Sequence, residues 1–165
     1  MKILVTGGTG FIGSHTIVEL LNAGYEVVAI DNFANSKRSV LTRIKEITGK
    51  DFSFYEGDVC DPVILDKIFK EHDISAVIHF AGFKAVGESV AKPLMYYRNN
   101  LDSTLNLCEI MQKYNCKRLV FSSSATVYGN PLSLPIKEDF PLSTTNPYGT
   151  TKLMIERILK DLANS

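Results

Sequence analysis

The chain has 165 residues, of which 45% are hydrophobic and 22% are charged, with 18 basic and 18 acidic side chains. This length and composition predict one globular domain with a sizeable core. A net charge of zero offers no basic surface for nucleic acid. Since no apolar run approaches the ~20 residues that span a bilayer, we expect neither nucleic acid nor a membrane as a partner.

The cysteines and the N-terminus indicate the compartment. Cys60, Cys108 and Cys116 form no C-x-x-C pair and are odd in number, which predicts free thiols in a reducing environment. The chain opens directly on an apolar run without a basic leader, so we expect no signal peptide and a cytoplasmic location. The 3 histidines show no ligand spacing, so we expect no metal, and His79 should be a hydrogen-bonded core residue.

A glycine-rich stretch near the N-terminus carries the strongest functional signal. Ile3–Val5 reads as a strand buried on both faces, and Gly7, Gly10 and Gly13 follow at G-x-x-G-x-x-G spacing. Gly7 suits a tight turn, Gly10 lets a ligand phosphate approach the backbone, and Gly13 lets the next helix pack on the sheet. The free amides of that helix, residues 11–23, predict a pyrophosphate site. The alternative is a glycine-rich turn without a ligand, but the order of strand, loop and helix favours a dinucleotide.

The second predicted strand, Val27–Ile30, ends in Asp31, roughly 20 residues after the glycine loop, as the dinucleotide-binding pattern requires. This carboxylate can accept hydrogen bonds from both hydroxyls of an adenosine ribose. It would repel a 2′-phosphate, and no arginine adjoins it in the sequence. We therefore predict NAD rather than NADP.

The next segment predicts a helix that Ser36 caps and that runs to about Thr48. Gly49 ends it. One apolar face follows from helical spacing. Its members are Val40, Leu41, Ile44 and Ile47.

Strands and helices continue to alternate towards the C-terminus. The predicted strands are 52–55, 76–80 and 118–122. The predicted helices are one that starts at Asp61-Pro62, one over 93–114 and one over 148–163 that Asn146-Pro147 caps, with a loop over 129–147 before the last. The buried stripe of the helix that starts at Asp61-Pro62 is Ile64, Leu65, Ile68 and Phe69. Such alternation predicts an α/β fold, a doubly wound parallel sheet (Rossmann fold) with strand order 3-2-1-4-5 and helices on both faces. The ligand crevice would lie between strands 1 and 4.

A second group of polar residues follows the fifth strand. That strand ends at Ser122–Ser124, and the last helix opens with Tyr148 and Lys152, which are one turn apart. A tyrosine ordinarily has a pKa of about 10, so a catalytic tyrosine base needs a nearby cation. Lys152 could supply that charge and bind a nicotinamide ribose, while Ser124 could orient an alcohol. This arrangement predicts hydride transfer between an alcohol carbon and NAD with Tyr148 as acid/base; the alternative is an exposed helix-surface pair.

Two segments connect these residues to a known family. They read HFAGFKAVGESV over 79–90 and SSSATVYG over 122–129. With them, the chain resembles the extended short-chain dehydrogenase/reductases, and within these the UDP-glucose (UDP-galactose) 4-epimerase family, over all 165 residues. Related sugar-nucleotide 4,6-dehydratases carry Thr-Asp-Glu where this chain has Ser124-Ala125-Thr126, which argues against dehydration.

The resemblance implies a role for each candidate site residue. The amides of Phe11 and Ile12 would contact the pyrophosphate. The adenosine half would be held by Asp31, Asn32, Asn35, Ser36, Asp58 and Val59. The rest of the cofactor groove would be lined by Phe80, Ala81, Gly82, Lys84 and Asn99. The sugar would meet Lys84, Ser124 and Tyr148, with Tyr148 and Lys152 also touching the nicotinamide half.

The implied activity is an isomerase of galactose metabolism. It would interconvert UDP-glucose and UDP-galactose by reversible oxidation of C4 with tightly bound NAD, without net redox change. The alternatives are a non-catalytic NAD-binding module and a 4-epimerase for another sugar, such as UDP-glucuronate or UDP-N-acetylglucosamine. The resemblance also implies that residues 1–165 are the NAD-binding domain, with the family's C-terminal substrate-binding domain absent from this chain.

The resemblance further implies a homodimer through the helices 93–114 and 148–163. Both carry apolar residues beyond one buried face. In the first helix these are Met95, Leu101, Leu105, Leu107, Ile110 and Met111, and in the second they are Leu153, Met154, Ile155, Ile158 and Leu159. The alternative is that both faces cover only the chain's own sheet and its neighbours.

Overall fold

Strands and helices alternate along the computed structural model, which describes residues 1–165. The strands are β1 Lys2–Thr6, β2 Glu26–Asp31, β3 Ser53–Glu56, β4 Ala76–His79 and β5 Leu119–Phe121. The helices are α1 Phe11–Asn22, α2 Ser39–Thr48, α3 Pro62–Glu71, α4 Val86–Ala91, α5 Pro93–Lys113 and α6 Pro147–Ala163. None of these helices is long and apolar enough to cross a membrane.

The strands form one parallel sheet in the order β3-β2-β1-β4-β5, which confirms the predicted doubly wound fold. Strand β1 lies at the centre, and Leu4 and Val5 have no exposed surface, as the apolar run predicted. Thr6 is in register with both Ile30 and His79. The carboxyl ends of the central strands therefore meet at one edge of the sheet.

Residues 1–81 and 105–122 form one compact unit that contains the whole sheet. Two cores cover its faces. One core comprises Ile3, Val5, Ile17, Leu21, Val27, Ala29 and Ile44, from β1, β2, α1 and α2. The other comprises Leu4, Val28, Ile30, Val59, Leu65, Ile68, Phe69, Ile74, Val77, Leu107, Ile110, Met111 and Cys116. Because α3 and the end of α5 supply this second core, Leu107, Ile110 and Met111 lie inside the chain rather than on a free helix face.

Helix α2 differs from its prediction at its N-terminal end. It begins at Ser39 with Arg38 as its N-cap, so Ser36 does not cap it. Gly49 ends it in the left-handed conformation at φ 65°, as predicted. Ile44 is buried, but Ile47 is 68% exposed, because α2 packs mainly on α1 and covers little of the sheet.

The predicted start of α3 is confirmed. The Asp61 carboxylate accepts a hydrogen bond from the Val63 amide at 2.9 Å, and Pro62 occupies the first turn. Of the predicted stripe, Leu65, Ile68 and Phe69 are buried. The helix therefore presents that stripe to the sheet.

Residues 82–104 and 123–165 form a second compact unit, in which α6 packs against α4 and a short 3₁₀ helix, Ala125–Tyr128. The start of α6 is as predicted, because Asn146 accepts a hydrogen bond from the Gly149 amide at 2.8 Å and Pro147 follows it. Neither α4 nor the 3₁₀ helix was predicted. Helix α4 has only 6 residues and no side-chain N-cap, so it leaves no periodic signal.

Candidate functional site

The glycine loop between β1 and α1 is built on close backbone contacts. Gly7 has a φ of 66°, which a residue with a side chain rarely adopts. A Cβ on Gly13 would lie 2.2 Å from the Gly7 carbonyl oxygen, so Gly13 lets α1 pack against the loop itself rather than directly on the sheet. Gly8 was missed, although a Cβ there would lie 2.9 Å from the Ala29 side chain. The adjacent pair Gly7-Gly8 in the sequence was the signal that could have identified Gly8.

The N-terminus of α1 is open. Its N-cap Gly10 has no side chain to cap the helix, and no acidic residue stands in the first turn. The first residues, Phe11 and Ile12, are 75% and 54% exposed, and the first amides of a helix lack intrahelical partners. A Cβ on Gly10 would lie 3.2 Å from the Gly7 carbonyl oxygen, so a side chain would crowd this approach. These features fit a pyrophosphate group.

Asp31 ends β2 with its carboxylate fixed in place. One oxygen accepts a hydrogen bond from the Thr9 amide at 3.0 Å, and the other accepts from the Phe33 amide at 2.8 Å and the Ser36 hydroxyl at 3.2 Å. The Ser36 hydroxyl also lies 2.7 Å from that of Thr9. Ser36 therefore orients Asp31 instead of capping α2. The residue is 9% exposed, so these contacts do not close it off completely.

The other predicted adenosine residues gather beside Asp31. Asn32 donates a hydrogen bond to Asp58 at 3.1 Å, and Asp58 accepts another from the Cys60 amide at 2.8 Å. Asn35 is exposed, whereas the Val59 side chain is buried in the core. The loops after β2 and β3 are thus tied together at the edge of the sheet.

The end of β4 approaches the glycine loop closely. A Cβ on Gly7 would lie 2.8 Å from the Ala81 amide nitrogen. That amide donates to the Thr6 hydroxyl at 3.2 Å, and the same hydroxyl lies 2.7 Å from His79 Nδ1. His79 is therefore the hydrogen-bonded core residue that the sequence predicted. Phe80 is half-buried and packs against the core beneath α1.

In the second unit, Lys84 is exposed and Asn99 is half-buried. The more constrained residue is Asn100, which was missed. It is 1% exposed, and its side chain accepts from the Phe83 amide at 2.8 Å and donates to the Phe83 carbonyl at 3.0 Å. Asparagine is a weak helix former, so three of them within a helix of 21 residues, two of them adjacent, were the available signal.

Tyr148 and Lys152 share the buried face of α6, as their spacing predicted. They are 9% and 6% exposed, so they are not an exposed surface pair. Lys152 Nζ lies 5.9 Å from the centre of the Tyr148 ring. Burial lowers the pKa of Lys152 to about 8. Most Lys152 side chains stay protonated at pH 7, so a buried cation lies beside the tyrosine ring.

Two serines flank the first turn of α6. Ser124 is the N-cap of the 3₁₀ helix, and its oxygen accepts from the Thr126 hydroxyl at 2.9 Å. A Cβ on Gly149 would lie 3.0 Å from the Thr126 carbonyl oxygen, so this short helix packs closely on α6. Ser89, which was missed, is fully buried and accepts a hydrogen bond from the Tyr148 amide at 3.2 Å. Ser124 thus lies on the segment that packs against the helix bearing Tyr148.

Comparison with known proteins gives consistent matches. The chain is 65% identical over 98% of its length to a UDP-glucose 4-epimerase of Bacillus subtilis (strain 168), and 59% identical over its whole length to the enzyme of that name from Haemophilus influenzae. It also resembles the crystal structure of UDP-glucose 4-epimerase from Bifidobacterium longum in complex with NAD+ and UDP, with a TM-score of 0.97 and 56% identity over 98% of this chain. The chain spans about half the length of these proteins, 48%, 49% and 49% respectively.

A family model extends the match along the chain. The model of the "NAD dependent epimerase/dehydratase family" matches residues 3–165. This range includes the glycine loop, Asp31, Ser124, Tyr148 and Lys152. The chain therefore belongs to the NAD dependent epimerase/dehydratase family.

Proposed function

We propose that this chain is the NAD-binding domain of a UDP-glucose 4-epimerase. The observation that carries the proposal is the buried Tyr148–Lys152 pair on α6, retained in a chain 65% identical to a protein of that name. Because the chain spans about half the length of such relatives, the activity is proposed for the whole protein. The UDP sugars UDP-glucose and UDP-galactose would be its substrates.

Most of the residues that would hold NAD belong to the first unit. The open N-terminus of α1 offers the amides of Phe11 and Ile12 to the pyrophosphate. Asp31, oriented by Thr9 and Ser36, would accept hydrogen bonds from the adenosine ribose. Further contacts would come from Asn32, Asn35, Asp58, Val59, Phe80, Ala81, Gly82, Lys84 and Asn99. The bound NAD would supply a reversible hydride acceptor for the sugar C4.

The second unit supplies the residues that would move the proton. Tyr148 would take the proton of the C4 hydroxyl as the C–H bond breaks, and would return it when the alcohol re-forms. Ser124 would hold the same hydroxyl by a hydrogen bond, and Lys84 would contact the sugar nucleotide. The Lys152 ammonium would bind the nicotinamide ribose and stabilise negative charge on Tyr148. Since the proton returns to the oxygen and the hydride returns to the opposite face of C4, the reaction would change only the configuration at C4.

Conversion of UDP-galactose to UDP-glucose, followed by NMR of the sugar anomeric proton, tests this proposal. Tyr148→Phe should lower kcat by about 100-fold or more, because the ring remains but the proton carrier is lost. The matched control is Tyr25→Phe, which removes a hydroxyl from an exposed tyrosine in the first unit. Conversion that persists unchanged in Tyr148→Phe contradicts the assigned role.

NAD binding by the same samples separates the second candidate function. The second candidate is a non-catalytic NAD-binding module, which is favoured by the fact that the chain spans about half the length of its relatives. Calorimetric NAD binding without any conversion supports that module. A panel that adds UDP-N-acetylglucosamine and UDP-glucuronate tests the third reading, in which the C4 chemistry acts on another UDP sugar.

A homodimer is also proposed, through α5 and α6. Leu105 on α5 and Met154 on α6 remain 40% and 42% exposed, whereas Leu153 and Ile155 are buried within the chain. Light scattering at high concentration should give twice the chain mass, and Met154→Glu should give a monomer. Leu132→Glu, at an 82% exposed loop position, is the matched control. A monomer mass for the unmodified chain contradicts the proposal.

A further inference from the structure

A guanidinium group stacks on Phe33, the residue whose amide holds the Asp31 carboxylate, although no arginine adjoins Asp31 in the sequence. Arg38 follows Ser36, whose hydroxyl donates to Asp31, by two positions. Its guanidinium carbon lies 4.8 Å above the centre of the Phe33 ring, and Phe33 donates its amide to the same carboxylate. Arginine is the side chain best suited to bind a phosphate through two parallel hydrogen bonds. The fold therefore brings a phosphate-binding group near the place proposed for the adenosine ribose.

The Arg38 guanidinium is already engaged by an acidic residue. Its Nη2 donates to the carboxylate of Glu56, with which it forms an ion pair. Glu56 ends β3 and stands in register with Asp31 at the end of β2. Two carboxylates thus terminate neighbouring strands at this edge, and one of them neutralises the nearby cation.

The platform beneath Arg38 is fixed by the backbone. Phe33 has a φ of 57°, a left-handed conformation that aromatic residues rarely adopt. The Phe33 amide donates a hydrogen bond to the Asp31 carboxylate at 2.8 Å, and the centre of the Phe33 ring lies 5.4 Å from that of Phe54. Stacking on this ring holds the Arg38 guanidinium over the residue that binds the Asp31 carboxylate.

We propose that Glu56 is a specificity-determining residue, which withholds the Arg38 guanidinium from a nucleotide 2′-phosphate. On this proposal, which rests on the proposed NAD binding, rejection of NADP needs both Asp31 and Glu56. Asp31 repels the extra phosphate, and Glu56 occupies the Arg38 guanidinium, which would otherwise attract it. The ion pair is exposed, with side chains 68% and 48% accessible, so one substitution should release Arg38 without disturbing the fold.

Calorimetric titration of NAD and NADP on the same chain tests the proposal. The variants are Asp31→Asn, Glu56→Gln and the double variant, and the readout is the ratio of the two dissociation constants. Glu56→Gln should shift that ratio towards NADP by about tenfold, since a hydrogen bond to a charged group becomes available. The double variant should shift it further than Asp31→Asn alone. Glu26→Gln is the matched control, because it removes the same charge from the opposite end of β2, where Glu26 pairs with Lys2 at 3.4 Å.

Arg38→Gln in the double variant separates this device from a simple loss of negative charge. The gain for NADP should disappear, because the guanidinium that makes it is gone. A gain that persists without Arg38, or an Asp31→Asn shift that is the same with and without Glu56, overturns the proposal while leaving NAD binding intact. An unmodified chain that binds neither nucleotide overturns both this inference and the proposed function.

Discussion

The side-chain amide of Asn100 donates a hydrogen bond to the hydroxyl of Thr151 at 3.0 Å. Thr151 in turn donates to the Tyr148 carbonyl at 2.7 Å, and Asn100 also holds the amide and the carbonyl of Phe83. One buried side chain thus joins the segment before α4, helix α5 and the first turn of α6. Within the second unit, the position of Tyr148 depends on an asparagine that carries no proposed chemistry.

Replacing Asn100 by Leu should destabilise the chain by roughly 3 kcal/mol or more, because the buried polar groups of Phe83 lose their partner. Urea unfolding measures this loss. Asn106→Leu is the matched control on the same helix, since Asn106 makes a single hydrogen bond, to the Cys60 carbonyl at 2.8 Å, and should lose less. Equal losses in the two variants contradict the special position of Asn100.

Lys152→Met should make the fold more stable at neutral pH. Burial lowers the lysine pKa from 10.5 to about 8, so between these values the unfolded chain binds more protons than the folded chain. Below pH 8 the cost of burying the lysine charge therefore lowers the wild-type free energy of unfolding in full. That free energy increases again as the pH rises towards 10.5. The variant should exceed the wild type by up to about 3 kcal/mol at pH 7, and by progressively less across that window.

Urea unfolding of both proteins across the window measures this difference. Lys160→Met, at an exposed position of the same helix, serves as the control and should show no such trend. A Lys152→Met difference that stays constant with pH argues against a burial penalty. In the whole protein, the same substitution should abolish the proposed C4 epimerisation, since it removes the proposed ribose ligand.

Gly13→Ala should impair both the fold and nucleotide binding. Its Cβ would lie 2.2 Å from the Gly7 carbonyl oxygen, so the loop or α1 must shift. We expect a loss of about 1–3 kcal/mol in unfolding free energy and weaker NAD binding by calorimetry. Gly87→Ala in α4 is the control, because nothing lies within 4 Å of its added Cβ and alanine favours a helix. Unchanged NAD affinity in Gly13→Ala speaks against the loop as the pyrophosphate site.

Ser36 and Asp61 should separate binding from stability. Asp61→Ala removes a real helix cap and should lower the unfolding free energy by about 1 kcal/mol, with little effect on NAD affinity. Ser36→Ala removes a hydrogen bond to the Asp31 carboxylate and should weaken NAD binding instead. Paired urea and calorimetric titrations distinguish the two. A stability loss in Ser36→Ala without weaker binding restores the capping role that the sequence predicted.

Local chemistry explains what could be predicted from the sequence. The five strands are apolar runs separated by helical periodicity, and Asp61, Asn146 and Gly49 act within one turn of their own positions. The residues that were missed act over long separations. Asn100 reaches Thr151 across 51 positions, and Ser89 meets Tyr148 across 59. No spacing rule links such pairs, because the fold and not the local chain brings them together.

The same physics explains why Ser36 was assigned to the wrong partner. Its position before a predicted helix suits a cap, but the Asp31 carboxylate lies within reach and α2 starts three residues later. The Tyr148–Lys152 pair was the opposite case. Its spacing placed both side chains on one face, yet only the packing of α6 against α4 and the 3₁₀ helix makes that face a buried one.

The central place of β1 has a consequence for synthesis. Strand β1 leaves the ribosome before both of its partners: it pairs with β2 once residue 31 is made, but its other side waits for β4 at residues 76–79. Until then the apolar core strand of the finished protein is an open edge that another chain can extend. Nascent chains arrested before β4 should therefore recruit chaperones more strongly than chains arrested after β5.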